Sequence, residues 1–194
     1  MPRVLAAAFA LLALAACSPA PQGAAEASKA AGEAPPNRVG TAITAQPPTV
    51  TPAQDFVAKA AAGDAFEIAA AQAAQARAQE PAVKAFAAMM LRDHGKSSAD
   101  LKKAVAESGQ ALTVAGPLSP GQQQGLADLT NLTGPAFDRA YMAGQVRAHQ
   151  DALTLMQDYA QNGDVTSLKA FAAETAAVVQ GHYTKASKLS EELQ

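Results

Sequence analysis

Four segments of about 27 residues carry apolar or small side chains at steps of three and four, the period that lines up one side of an α-helix. The first stripe is Phe56, Ala60, Gly63, Glu67, Ala70 and Ala74, and the second is Val83, Ala87, Met90, His94, Leu101 and Val105. The third is Met142, Val146, His149, Leu153 and Met156. The fourth is Leu168, Phe171, Thr175, Val178, His182, Ala186 and Leu189. Helices with one such face each must bury it against one another, so the chain is expected to be all-α, a four-helix bundle. Composition agrees: 49% of the 194 residues are apolar, Ala dominates, and aromatics make up 5%, which favours helix over strand.

The punctuation between the segments fits this reading. Thr51-Pro52 followed by Gln54 has the form of a helix cap, a first-turn proline and a capping box, so the domain is placed at 51–194. The first helix is expected to end near Gln79, and Pro81 opens a second that stops near Ser108, with Gly109 as its terminator. In the long connection 110–134, Ser119-Pro120 and Gln122 repeat the capping pattern and predict a short extra helix over Pro120 to Asn131. Gly134-Pro135 opens the third long helix, Asn162-Gly163 closes it, and Asp164 caps the fourth. Helices one and two, and three and four, are joined too tightly to be anything but antiparallel neighbours. The middle link is long enough to run the length of the bundle, the single crossover of a ferritin-like topology.

Upstream of the domain, Arg3 and the apolar run Val4 to Leu14 form an export signal too short to span a bilayer as a stable helix. Leu14-Ala15-Ala16-Cys17 resembles the lipobox of bacterial lipoproteins, which makes 1–16 a signal peptide and Cys17 the lipidated first residue. A plain signal peptide with a leftover cysteine is the alternative. The resemblance implies several acyl chains, as stable anchoring at about 0.8 kcal/mol per buried CH₂ requires, and Ser18 favours the outer over the inner membrane. Residues 17–50, with Pro21, Pro35, Pro36, Pro47 and Pro48 among Ala, Gly, Ser and Thr, read as a disordered tether. The domain is thus expected to face the periplasm, with the membrane as a partner through the lipid anchor and no protein partner specified. A net charge of −2 without a basic patch excludes nucleic acid.

The chain has three histidines, and each lies on the buried stripe of a different helix. At 1.5 Å per residue, Glu67, His94 and His149 share one layer near their helix midpoints, and His182 lies about 6 Å away along its own helix. Two readings fit. One is a site with a single metal ion held by Glu67, His94, His149 and His182, whose nitrogen and oxygen donors suit Zn, Cu, Fe or Mn. The other is a hydrogen-bonded polar layer that sets helix register. A dinuclear carboxylate site is disfavoured, because Leu91, Val146 and Val179 stand where Glu-x-x-His would need glutamate. Asp93 adjoins His94 as a group behind the ligands, while Asp138 and Glu174, two or three turns from the histidines, read as surface or capping charges. Tyr141, Tyr159 and Tyr183 are open to packing or hydrogen-bonding roles. No nucleophile motif, phosphate loop or dinucleotide fingerprint occurs, so no reaction is indicated.

The segments DFVAKAAAGDAFEI, PAVKAFAAMMLRDHGKSSADLK and GPAFDRAYMAGQVRAHQDAL resemble the bacterial envelope family known as domain of unknown function 4142, a ferritin-like group. The resemblance runs from about Thr51 to Leu189. It implies functional positions at Glu67, Asp93, His94, Phe137, Asp138, Tyr141, His149 and His182, with Asp93, Asp138 and Tyr141 behind the ligands. The last helix departs from the family pattern, with Gly181 rather than a Leu-Pro step before His182. Two functions follow as expectations: an envelope lipoprotein that binds one transition-metal ion, or a non-catalytic interaction or stress module whose polar layer only specifies packing.

Overall fold

Every regular element of the computed structural model is helical among the residues it describes, 51–194. The expected signal segment and tether lie outside them. The helices are α1 (Ala53–Arg77), α2 (Pro81–Glu107), α3 (Pro120–Thr130), α4 (Gly134–Asn162) and α5 (Thr166–Glu192). Pro81 sits in the first turn of α2, where its missing N–H costs nothing. Past the end of that helix Gly109 takes a φ of 66°, the left-handed turn that ends helices and that glycine adopts without strain. Ser119 and Gln122 form the capping box expected of α3.

Two other expected caps do not form, because their side chains are engaged elsewhere. Thr51 donates to Asp158 at 3.2 Å. Gln54 clamps the backbone of Thr113 through bonds of 2.9 and 3.1 Å, which ties the long crossover to the start of α1. Asp164 accepts the Tyr159 hydroxyl at 2.8 Å, and α5 begins without a side-chain cap. The crossover also lies directly on α1: a Cβ at Gly116 would stand 2.1 Å from the Ala58 carbonyl oxygen. Only glycine allows that approach.

The long helices pack as α1 on α2, α2 on α5, α5 on α4 and α4 on α1, with α3 laid across α1 and α4. Two apolar cores fix their directions. One joins Phe56 and Val57 of α1 to Leu101 of α2, Tyr159 of α4, and Leu168 and Phe171 of α5. The other joins Ala70 and Ala74 of α1 to Val83, Phe86 and Met90 of α2, Phe137 and Met142 of α4, and Ala186 of α5. Each core therefore takes the beginning of some helices and the end of others, so α1 and α5 run one way and α2 and α4 the other. All four packed pairs are antiparallel. No helix among the described residues is long and apolar enough to cross a membrane.

The stripes of α1 and α2 lie inward as expected, but those of α4 and α5 are rotated. On α4 Tyr141, Gln145 and Tyr159 are buried, whereas Val146 and Leu153 are half-buried. On α5 Val179 is buried and Val178 is 49% exposed. α4 and α5 pack on each other more extensively than any other pair of helices, so the buried arc of each is wider than a single line of apolar residues and takes in polar positions.

Asp138 belongs to the fold rather than to the histidine layer. Fully buried, its carboxylate accepts the backbone N–H of Gln79 at 3.1 Å and of Glu80 at 2.9 Å. It therefore ties α4 to the α1–α2 turn and the start of α2. Asp138→Ala leaves those donors unpaired and is expected to cost about 1–3 kcal/mol, read as a lowered midpoint of urea unfolding.

Candidate metal centre

Between the two apolar cores lies a buried polar layer. Asp64 and Glu67 come from α1, His94 from α2, Gln145 and His149 from α4, and His182 from α5, each less than a tenth exposed. One helical turn separates Asp64 from Glu67, and another separates Gln145 from His149, so each pair lies on one face of its helix. The ring centroids of His94, His149 and His182 are 5.8, 5.8 and 5.3 Å apart. The axial offset expected for His182 is therefore taken up by the packing.

Each imidazole is held from one side by a group that can only accept a hydrogen bond. His94 Nδ1 donates to Asp64 Oδ1 at 2.8 Å, and Asp64 is itself braced by the Ser98 hydroxyl at 3.1 Å. His149 Nδ1 donates to the backbone carbonyl of Gln145 at 2.8 Å. His182 Nε2 donates to Asp93 Oδ2 at 3.0 Å, and Arg92 Nε holds the other oxygen of Asp93 at 2.9 Å. Because carboxylates and carbonyls carry no proton to give, these contacts fix the tautomers: the remaining nitrogen of each neutral ring is a bare lone pair. Those nitrogens, His94 Nε2, His149 Nε2 and His182 Nδ1, are buried and unpartnered.

The three rings each offer a nitrogen within 4.8 Å of the others, so this group could hold a metal ion. An equilateral triangle of that side has its centre about 2.8 Å from each corner. Metal–imidazole bonds of about 2.0–2.1 Å then need an inward shift of under about 1 Å. Glu67 stands in the layer but outside this close group. Its Oε2 accepts from Gln145 Nε2 at 2.6 Å and its Oε1 is unpartnered. Tyr141 brings a buried, unpartnered hydroxyl to the same region. Asp93 meets His182, not the adjacent His94, because successive residues point about 100° apart round a helix. Glu174 is exposed. Asp64 and Gln145 escaped the sequence reading, although their spacing of three and four from Glu67 and His149 is the pattern that could have found them.

Burial and neighbouring charge act differently on the three imidazoles. Burial pulls His149 down from the ordinary 6.5 to about 3. Burial also lowers His182, against the raising effect of Asp93. At His94 burial is outweighed by the Asp64 hydrogen bond and the charges of Glu67, Asp64 and Asp93, and its pKa is raised. Burial raises Glu67 as well. Two of the three rings are thereby kept in the neutral form a metal requires.

The fold and the buried site define an all-helical bundle with a histidine-rich middle layer. The chain belongs to the family described as Domain of unknown function (DUF4142), which its sequence matches over residues 39–189. Its fold is similar to the crystal structure of a DUF305 fragment from Deinococcus radiodurans, with a TM-score of 0.60 and 14% sequence identity over 73% of this chain and 99% of that one. No curated protein matches the chain.

The depressed pKa of His149 sets a pH dependence. Between pH 6.5 and about 3 the unfolded chain binds a proton at this residue that the folded chain refuses, so its contribution to stability is present above 6.5 and is lost as pH falls through that window. Glu67 and His94, with raised values, act in the opposite direction, so the contribution is read by difference. In metal-stripped protein, the gap in thermal midpoint between wild type and His149→Gln is expected to shrink steadily as pH is lowered from 6.5 towards 3.

Proposed function

We propose that this protein is a lipid-anchored, periplasm-facing ferritin-like bundle whose middle layer binds a single transition-metal ion through His94, His149 and His182. The observation that carries this reading is the set of buried side-chain atoms without a hydrogen-bond partner. Among the described residues they are Glu67 Oε1, His94 Nε2, Tyr141 OH, Gln145 Oε1, His149 Nε2 and His182 Nδ1, and all belong to residues lining one cavity. A layer that served only helix register would be expected to pair these atoms with one another, since a buried unpaired polar group costs about 1–3 kcal/mol. Here the outward nitrogens are paired and the inward ones are not, which is how protein-bound metals hold their imidazoles.

Three nitrogen donors suit Zn, Cu, Fe or Mn. A bound ion of this kind supplies Lewis acidity, or one-electron chemistry where the metal has it. Glu67, one side of the layer, is the protein group closest in role to a further ligand. The lipobox-like Leu14-Ala15-Ala16-Cys17 and the following Ser18 support an address on the outer membrane, and the Pro-rich segment supports a spacer between anchor and bundle.

Purified without chelator, the protein is expected to contain or take up near one equivalent of a transition metal by elemental analysis. The His94→Ala, His149→Ala double variant is expected to contain none while remaining helical. Wild-type protein that refuses added Zn, Cu, Fe and Mn would sink this reading and leave a structural polar layer. Removal of the groups behind the ligands tests the same geometry more gently: Asp64→Ala and Asp93→Ala are each expected to weaken metal binding about 10- to 100-fold in a competition titration.

A further inference from the structure

The histidine layer opens onto a cavity of about 730 Å³ between α1 and α4, with α3 along its outer side. Its size is that of a site for an organic molecule, roughly 300–1,000 Å³, rather than for a single water. Small residues make the room. Gly63 on α1 and Gly144 on α4 both line it, and a Cβ on either would meet nothing within 4 Å. The walls are otherwise largely apolar, with Leu129 and Leu155 among them. Charged side chains of both signs, Lys59, Asp128, Arg147 and Asp151, line its exposed rim, and at the inner end the unpartnered Tyr141 hydroxyl and Glu67 Oε1 stand beside the imidazoles. Tyr141 is 1% and Glu67 4% exposed, so solvent does not satisfy them.

We infer that this cavity binds a neutral, mainly apolar organic molecule with one terminal oxygen, an alcohol or carbonyl compound, whose oxygen lies against the metal layer and whose tail runs between α1 and α4. The inference rests on the metal reading above. Charge selects the head group. The two positive charges of a divalent ion face two carboxylates, Asp64 and Asp93, which hold His94 and His182; the Arg92 guanidinium that also holds Asp93 is 69% exposed, so water screens its charge. An anionic head would add an unbalanced buried charge, and a cationic head would face the ion. A neutral oxygen is accepted in either state of Glu67. Tyr141 donates to it, and an alcohol can donate in turn to Oε1 of the ionised carboxylate. Oε1 of the protonated one, whose Oε2 accepts from Gln145, donates to the alcohol or carbonyl oxygen. The tail gains the burial that the glycine and leucine walls offer.

The test loads the protein with zinc, confirms uptake, and then titrates 1-octanol, octanoate and octylamine by calorimetry. Saturable one-to-one binding of 1-octanol, at least tenfold tighter than either charged analogue, is expected. Gly144→Leu, which fills the cavity from α4 and replaces a helix-interior glycine with a better helix former, should keep its zinc and lose the alcohol. Gly63→Leu should do the same from the opposite wall. Tyr141→Phe should weaken the alcohol about fivefold to tenfold, as the loss of one buried hydrogen bond does. Zinc-loaded protein that binds 1-octanol no more tightly than both leucine variants, or that prefers octanoate, overturns the inference. Failure to take up zinc is seen before any alcohol is added; it overturns the metal reading and takes this one with it.

Discussion

Every feature of the site depends on the outward hydrogen bond of each imidazole. A buried histidine can turn either nitrogen inward and carry its proton on either, and an unconstrained ring would sample these states. Here Asp64, the Gln145 carbonyl and Asp93 each take one N–H and thereby choose the tautomer and the ring orientation together. The acceptors come from three different elements: a side chain of α1 for His94, the ring's own helix backbone four residues earlier for His149, and a side chain of α2 for His182. Because none is shared, the three lone pairs converge only when α1, α2, α4 and α5 are all in register. The site is therefore a property of the assembled bundle and cannot persist in any pair of its helices.

That dependence explains the uneven distribution of bulk in the interior. At both ends the helices interlock through large side chains, such as the Phe56–Tyr159 stack with centroids 3.8 Å apart and the edge-on contact of Phe86 with Tyr141. In the middle, α1 and α4 contribute glycine and alanine instead. Close packing at the ends holds helix spacing, and the small residues between them leave the spacing unused. The crossover contributes from outside: Gly116 sits on the α1 backbone and Gln54 grips Thr113, so α3 is held along the α1–α4 seam although none of its residues is buried.

Much of this was legible in the sequence, and the limits have physical causes. Helix bounds followed from Pro81, Gly109, Ser119-Pro120 and Gly134-Pro135, because proline and glycine act through local backbone geometry that needs no tertiary information. The convergence of His94, His149 and His182 followed from their depth along the helices. Capping at Thr51 and Asp164 did not, since a side chain that finds a partner across the fold abandons the local one. Val178 was taken for a buried position and Val179 passed over, because two adjacent valines carry no sign of which faces inward. Asp138 was marked by resemblance as a group behind the ligands, yet it serves the α1–α2 turn, a contact between residues 59 positions apart that no helical period encodes. Asp64 and Gln145 were polar residues on faces judged by their apolar members, and so went unread.

A polar layer between two apolar cores also divides the energetic roles of the chain. Hydrophobic burial scales with apolar area removed from water, and most of that area lies in the clusters at either end. The layer contributes little of it and carries the desolvation of two buried carboxyl groups and three imidazoles. By itself such a layer opposes folding, as the downward shift of His149 and the upward shift of Glu67 both express. An ion bound to the inward nitrogens reverses that sign, because it supplies the partner their burial removed and binds only the folded chain. Stability and metal affinity are then linked through the same atoms, whereas the end cores hold the helices together whether or not the layer is satisfied. It is this separation that lets a bundle keep six polar atoms unpaired at its centre and still hold a single arrangement of its helices.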